Sequence, residues 1–176
     1  MLKRKLPEVE SWVECTLAAH VAQAHPVVSF GFKRLGDYYA PSLLHTAKVV
    51  SLPVLPIPPL SRMGLSGFEE FEQLDASGIT YRDTYFVRRE FLHDESLHFH
   101  ELVHVIQWLH LGPANFILAY ALGHRLSGYR NNPMEQMAYA LQARFESDGP
   151  AFDAAAIVCP AADRDFHALM RQTGLG

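Results

Sequence analysis

The chain has 176 residues, 49% of them hydrophobic, which suffices for one globular domain (1–176) with a substantial core and argues against disorder. A formal charge of −4 and a pI near 6.2 give no support for a nucleic-acid-binding surface, none is expected, and Lys3-Arg4-Lys5 is too short to count as a basic patch. Pro7, Glu8 and Glu10 stand where a secretory signal would be apolar, no stretch reads as a membrane span, and Cys15 and Cys159 read as reduced thiols, so a cytoplasmic chain without a membrane partner is expected.

Residues 1–48 read as N-terminal helices. Trp12, Val13, Leu17, Ala18 and Val21 recur at helical spacing across 8–24, and the pattern stops at His25-Pro26, because the residue before proline disfavours helix. Gly31 and Gly36 interrupt further helical turns, and Pro41 opens a short helix through Thr46. His20, His25 and His45 carry no motif.

Residues 49–94 are a proline-rich segment followed by a strand. Pro53, Pro56, Pro58 and Pro59 predict an edge strand running into extended chain, because proline cannot donate to a ladder. Residues 61–78 read as a polar connection whose Glu69, Glu70 and Glu72 form a solvated face. Residues 79–88 read as one strand with Tyr81, Tyr85 and Val87 on one side, placed where a sheet edge would receive an extended peptide.

Residues 95–147 carry the chemistry. His100-Glu101-Leu102-Val103-His104 is an H-E-x-x-H pentapeptide. On a helix, residues four apart differ by about 40° and about 6 Å, so both imidazoles point at one place, with Glu101 roughly 80° round. Two histidines suit zinc, and a carboxylate beside them suits a general base acting on a bound water. Apolar residues surround the helix on nearly every side, so it is buried with a polar stripe of His100, Glu101, His104 and Gln107 that calls for a partner. Asp94 or Ser96 supplies a start signal and Gly112-Pro113 a stop. An apolar helix follows over 114–127. Asn132 and Pro133 then open another, with Met134, Met137, Ala138, Leu141 and Phe145 on one face. The tail, 148–176, carries a short helix over 163–171.

A catalytic zinc needs a third protein ligand. His110 has the spacing of an extended H-E-x-x-H-x-x-G-x-x-H motif, but Gln107 replaces the glycine, and on an unbroken helix His110 faces roughly 100° away. Glu135 borders the apolar face of its helix and can approach the pair as a packed neighbour. The spacing from Asn132 to Glu135 equally fits a capping box, in which Glu135 would bond the backbone and need no metal.

The combination of His-Glu-Leu-Val-His-Val-Ile-Gln with Gly-Tyr-Arg-Asn-Asn-Pro-Met-Glu-Gln-Met-Ala resembles the gluzincins, in particular small bacterial ones with an H-E-x-x-H-x-x-Q helix and an N-P-x-E-x-x-A helix. The strand from Gly78 also resembles the segment before their zinc helix, and the likeness covers about 78–145. It implies an α+β, mostly helical, zincin-like fold in which the active-site helix lies beside a small sheet and a second helix brings the glutamate ligand. It further implies a zinc peptidase with His100, His104 and Glu135 as ligands, Glu101 as general base, and a peptide or protein as substrate. Tyr129 and His124, just before the Glu135 helix, are the candidates to stabilise an oxyanion. Many gluzincins carry an acidic residue four after the glutamate ligand, and here that place is Tyr139, so support for the histidines must come from elsewhere. The competing expectation is a non-catalytic zinc-binding or protein-interaction domain.

Overall fold

The computed structural model describes residues 2–147 and 149–174; Met1, Asp148, Leu175 and Gly176, which include both ends of the predicted tail, lie outside them. Helix α1 (Leu2–His20) starts six residues before the predicted boundary and carries Pro7 inside it, where a missing N–H forgoes one bond early in the helix. A two-residue strand β1 (His25–Pro26), two 3₁₀ turns around Gly31 and Gly36, and the short helix α2 (Pro41–Thr46) lead into β2 (Lys48–Leu52). The chain then continues through α3 (Glu69–Glu72), β3 (Gly78–Tyr81), β4 (Thr84–Arg88), and helices α4 (Glu95–Leu111), α5 (Pro113–Ser127), α6 (Pro133–Glu146) and α7 (Ala154–Gln172). The architecture is α+β and mostly helical, with one four-stranded sheet. Among the described residues no helix is long and apolar enough to cross a membrane.

The strand order β1-β2-β4-β3 corrects two expectations. The residues before the prolines form an interior strand, parallel to β4 and capped on its other side by β1, because β2 ends at Leu52, one residue before Pro53. The single strand predicted over 79–88 is a hairpin. Its turn, Arg82-Asp83, was invisible because Arg82 takes the left-handed conformation (φ 58°) that usually announces itself as glycine. The turn also moves Tyr81 to the face opposite Tyr85, where it meets Phe86 edge-on at 5.8 Å.

Both faces of the sheet are covered. Val50, Phe86 and Tyr81 pack with Val9 and Val13 of α1, whereas Val49, Tyr85 and Val87 pack with Phe99, Leu102 and Val103 of α4 and with Leu141 and Phe145 of α6. Tyr85, Phe86 and Val87 are all 0% exposed, so β4 is buried on both faces and not on the one face that the alternation over 79–88 predicts. Phe99, Leu102, Val103 and Val105 are likewise fully buried, and at roughly 1.5–3 kcal/mol each their burial fixes α4 far more firmly than helix propensity does.

Local signals set the ends of α4. The Asp94 carboxylate accepts from the N–H groups of Ser96 and Leu97 at 3.1 and 3.2 Å, and Gly112, with φ 75°, returns its N–H to the Trp108 carbonyl. At the other end of the chain, the predicted 163–171 helix is longer than expected. Asp153 caps it by accepting from Ala156 N, and Pro160 lies within α7 without ending it.

Helices α4 and α6 run antiparallel. Ser96 bonds Glu146, His100 bonds Gln142, and Gln107 bonds the Met134 carbonyl, so positions rise along one helix as they fall along the other. This register sets the start of α6 beside Gln107 and brings Glu135 to the middle turns of α4, where the two histidines are.

Candidate metal centre

Ligand atoms of His100, His104 and Glu135 all lie within 4.8 Å of one another, and all three residues are buried. His100 Nε2 is 3.5 Å from Glu135 Oε2, His104 Nε2 is 3.5 Å from Glu135 Oε1, and the two Nε2 atoms are 3.1 Å apart. The three residues can hold a metal ion. The donor set fits one on its own terms. Glu135 Oε2 is buried without a hydrogen-bond partner among the described residues, and leaving such an acceptor unsatisfied costs about 1–3 kcal/mol or more.

The far nitrogens of both rings are committed elsewhere. His100 Nδ1 donates to Gln142 Oε1 at 3.0 Å, and His104 Nδ1 donates to Gln107 Oε1 at 2.8 Å. The amide orientations follow from the other ends: Gln142 Nε2 donates to Ser96 Oγ at 3.0 Å, and Gln107 Nε2 donates to the Met134 carbonyl at 3.1 Å. Placing the protons on Nδ1 leaves both Nε2 lone pairs facing Glu135, the tautomer a metal requires. Gln142 thus supplies the support that an acid at Tyr139 would have given, while the Tyr139 ring lies against His100 with centroids 4.7 Å apart.

Glu135 does not close a capping box. Asn132 Oδ1 accepts from Met134 N at 3.2 Å, but Asn132 N donates to the Tyr129 carbonyl, and the Glu135 side chain turns inward to accept from Tyr120 Oη at 2.6 Å. His110 is not among the gathered ligands. It pairs with Asp163 of α7 at 2.9 Å, on the side of α4 away from Glu135.

Glu101 reaches the same space without joining the triad. Thr80 Oγ1 donates to Glu101 Oε2 at 2.6 Å, and Gly78 lets the carboxylate approach the strand so closely that a Cβ there would stand 2.4 Å from Oε1. Burial raises the Glu101 pKa, opposed by His100 and His104 and by the Thr80 bond. Burial acts on Glu135 in the same direction, but His104 and His100 outweigh it and hold its carboxyl well below the usual range. Conversely, burial pulls His104 down while Glu135 more than compensates, leaving it at about 9 in the metal-free protein.

This charge state has a measurable consequence. Near pH 7 His104 is protonated and must lose that proton to ligate, so metal binding is expected to release about one proton. Affinity should accordingly rise about tenfold per pH unit between pH 7 and 9 and level off above. Calorimetry in buffers of different ionisation enthalpy reads the proton count, and zero protons at pH 7 would contradict the assignment of His104.

Tyr129 and His124 both line the cavity that opens onto the cluster, but in different surroundings. Burial, the Glu135 charge and a hydrogen bond with Tyr139 push the Tyr129 phenol far above its usual range, so it remains a donor. His124 lies 5.4 Å from the Phe68 ring, nearly parallel to it, and its Nδ1 is buried without a partner among the described residues. Burial lowers its pKa, opposed by Glu70.

Four contributors escaped the sequence reading: Gln142, Tyr120, Thr80 and Gly78. Gln142 stands seven residues after Glu135, on the same face two turns on, so that spacing was the available signal. A glycine inside a strand pattern signals a close approach, which points to Gly78. Tyr120 had no local signal, because its role depends on how α5 crosses α6.

No family profile, curated protein or solved structure matches the chain.

Proposed function

We propose that the protein is a zinc-dependent peptidase of gluzincin type with a zincin-like fold. The observation that carries this reading is the Glu101 carboxylate, fixed by Thr80 beside the His100, His104 and Glu135 donors yet outside their set, with all four lining one cavity. A purely structural metal site has no use for a fourth, non-ligating carboxylate. Two imidazole nitrogens and one carboxylate oxygen suit zinc, which when bound supplies Lewis-acid polarisation and lowers the pKa of a water.

The chain's own groups do the rest. Glu101 accepts a proton from the attacking water and returns it to the leaving amine, and its upward shift suits both tasks. Tyr129, protonated and beside Glu135, donates to the oxygen that becomes negative at the carbonyl. The edge strand β3 holds the peptide. Arg88 N bonds the Ser77 carbonyl, so by alternation Gly78 and Thr80 turn their backbone groups away from β4. The Thr80 carbonyl is taken by Trp108 Nε1 at 3.1 Å, which leaves N–H groups of the two residues facing an added strand.

Elemental analysis of protein purified without chelator is expected to find about one zinc per chain. His100→Ala should abolish it, Glu135→Ala should weaken binding at least tenfold, and His110→Ala should leave it unchanged. Protein without metal would remove this reading. Zinc without peptide hydrolysis would leave the alternative, a non-catalytic zinc domain.

A further inference from the structure

The space in front of the histidines is one end of a cavity of about 120 Å³ in all. Its two ends differ in chemistry. One is polar and consists of the metal-ligating residues, Glu101 and Tyr129; the other is walled by Val9 and Val13 of α1, Leu60 and Phe68 of the proline-rich connection, and Ile117 and Ala121 of α5. Apart from the His124 imidazole stacked on Phe68, those named walls offer no polar partner, so most of a polar group buried there would go unpaired and the deep end favours apolar matter.

Size narrows the occupant. An aliphatic-lined cavity of about 150 Å³ takes a benzene-sized molecule, so this one takes a single branched or aromatic side chain and is too small for a long acyl chain. We infer that the cavity is a specificity pocket for one bulky apolar side chain, of leucine or phenylalanine size, on the residue adjoining the carbonyl presented to His100 and Glu101. The inference rests on the peptidase reading for the identity of that carbonyl compound. Val9, Val13, Leu60 and Phe68 of the deep end come from outside the residues that resemble gluzincins, whereas Ile117 and Ala121 lie within them.

Two probes test it without requiring turnover. Zinc-loaded protein should bind leucine hydroxamate at least tenfold more tightly than glycine hydroxamate in calorimetry, since each methylene in an apolar pocket contributes roughly tenfold or more. Toluene should raise the melting temperature of the metal-free protein saturably. Ala121→Phe fills the cavity and should erase both effects, and Ala76→Phe offers a second filling from the partly buried wall should the first variant not fold. Equal affinities for the two hydroxamates, or no saturable toluene effect, would overturn the pocket. Hydrolysis without preference for apolar residues would overturn it while sparing the peptidase. Hydroxamate preference without hydrolysis would support the pocket and count against the peptidase.

Discussion

Glu101→Gln is expected to lower kcat for peptide hydrolysis by about 10²–10⁴-fold or more while leaving bound zinc unchanged, the range associated with loss of a positioned acid–base group. The substitution keeps the shape. Thr80 Oγ1 can donate to the amide oxygen as it does to the carboxylate, so the side chain stays between β3 and α4. What disappears is the proton acceptor. Because burial already disfavours the charge on Glu101, the amide should fold as stably as the wild type or more so, and thermal melts should show no drop. The pairing of dead chemistry with intact stability and metal content distinguishes a base from a structural carboxylate. Hydrolysis that survives the substitution belongs to some other site or to a contaminant.

Gly123→Ala is expected to lower both stability and zinc affinity. A Cβ at Gly123 would stand 2.5 Å from Asn132 Oδ1 and 3.0 Å from Pro133 Cδ. Asn132 cannot step aside cheaply, because it is 0% exposed, caps α6 through Met134 N and donates to the Tyr120 carbonyl at 3.0 Å. The start of α6 must move instead, and Glu135 lies three residues further on. Overpacking of this kind costs about 1–3 kcal/mol, or a fall in Tm of roughly 2–12 °C for a chain of this size. Zinc affinity is expected to fall at least tenfold, since the displaced element carries a ligand. A lowered Tm with unchanged zinc affinity would show that the α5–α6 joint does not position Glu135.

Much of α4 was legible in its residues because its signals are local: an Asp cap, a glycine stop, apolar positions all round, and two histidines one turn apart. Helix α6 was equally plain from Asn132 and Pro133. The fate of Glu135 was not, since capping box and inward ligand share one spacing, and only the partner of Asn132 N decides between them. The hairpin was hidden by Arg82, an arginine in a conformation that sequence rules assign to glycine. The prolines follow β2 and do not interrupt it, so they carry no information about its place inside the sheet. Long-range partners such as Tyr120 on Glu135 had no sequence signature, since they are created by helix crossings and not by periodicity.

Val9 and Val13 of α1 and Leu60 and Phe68 of the connection wall the cavity from stretches of chain that carry neither ligand nor base, whereas Trp108 shares α4 with the histidines and Tyr120 of α5 bonds Glu135. Under the proposed function, part of the choice of substrate would therefore lie on chain that carries none of the reacting groups. Substitutions in α1 and the connection have little cause to couple with His100, His104 or Glu135 where no side chain is shared, and effects at separated sites add. On that reading, a new preference for side-chain shape would be reachable through α1 and the connection by steps that leave the reacting groups as they are.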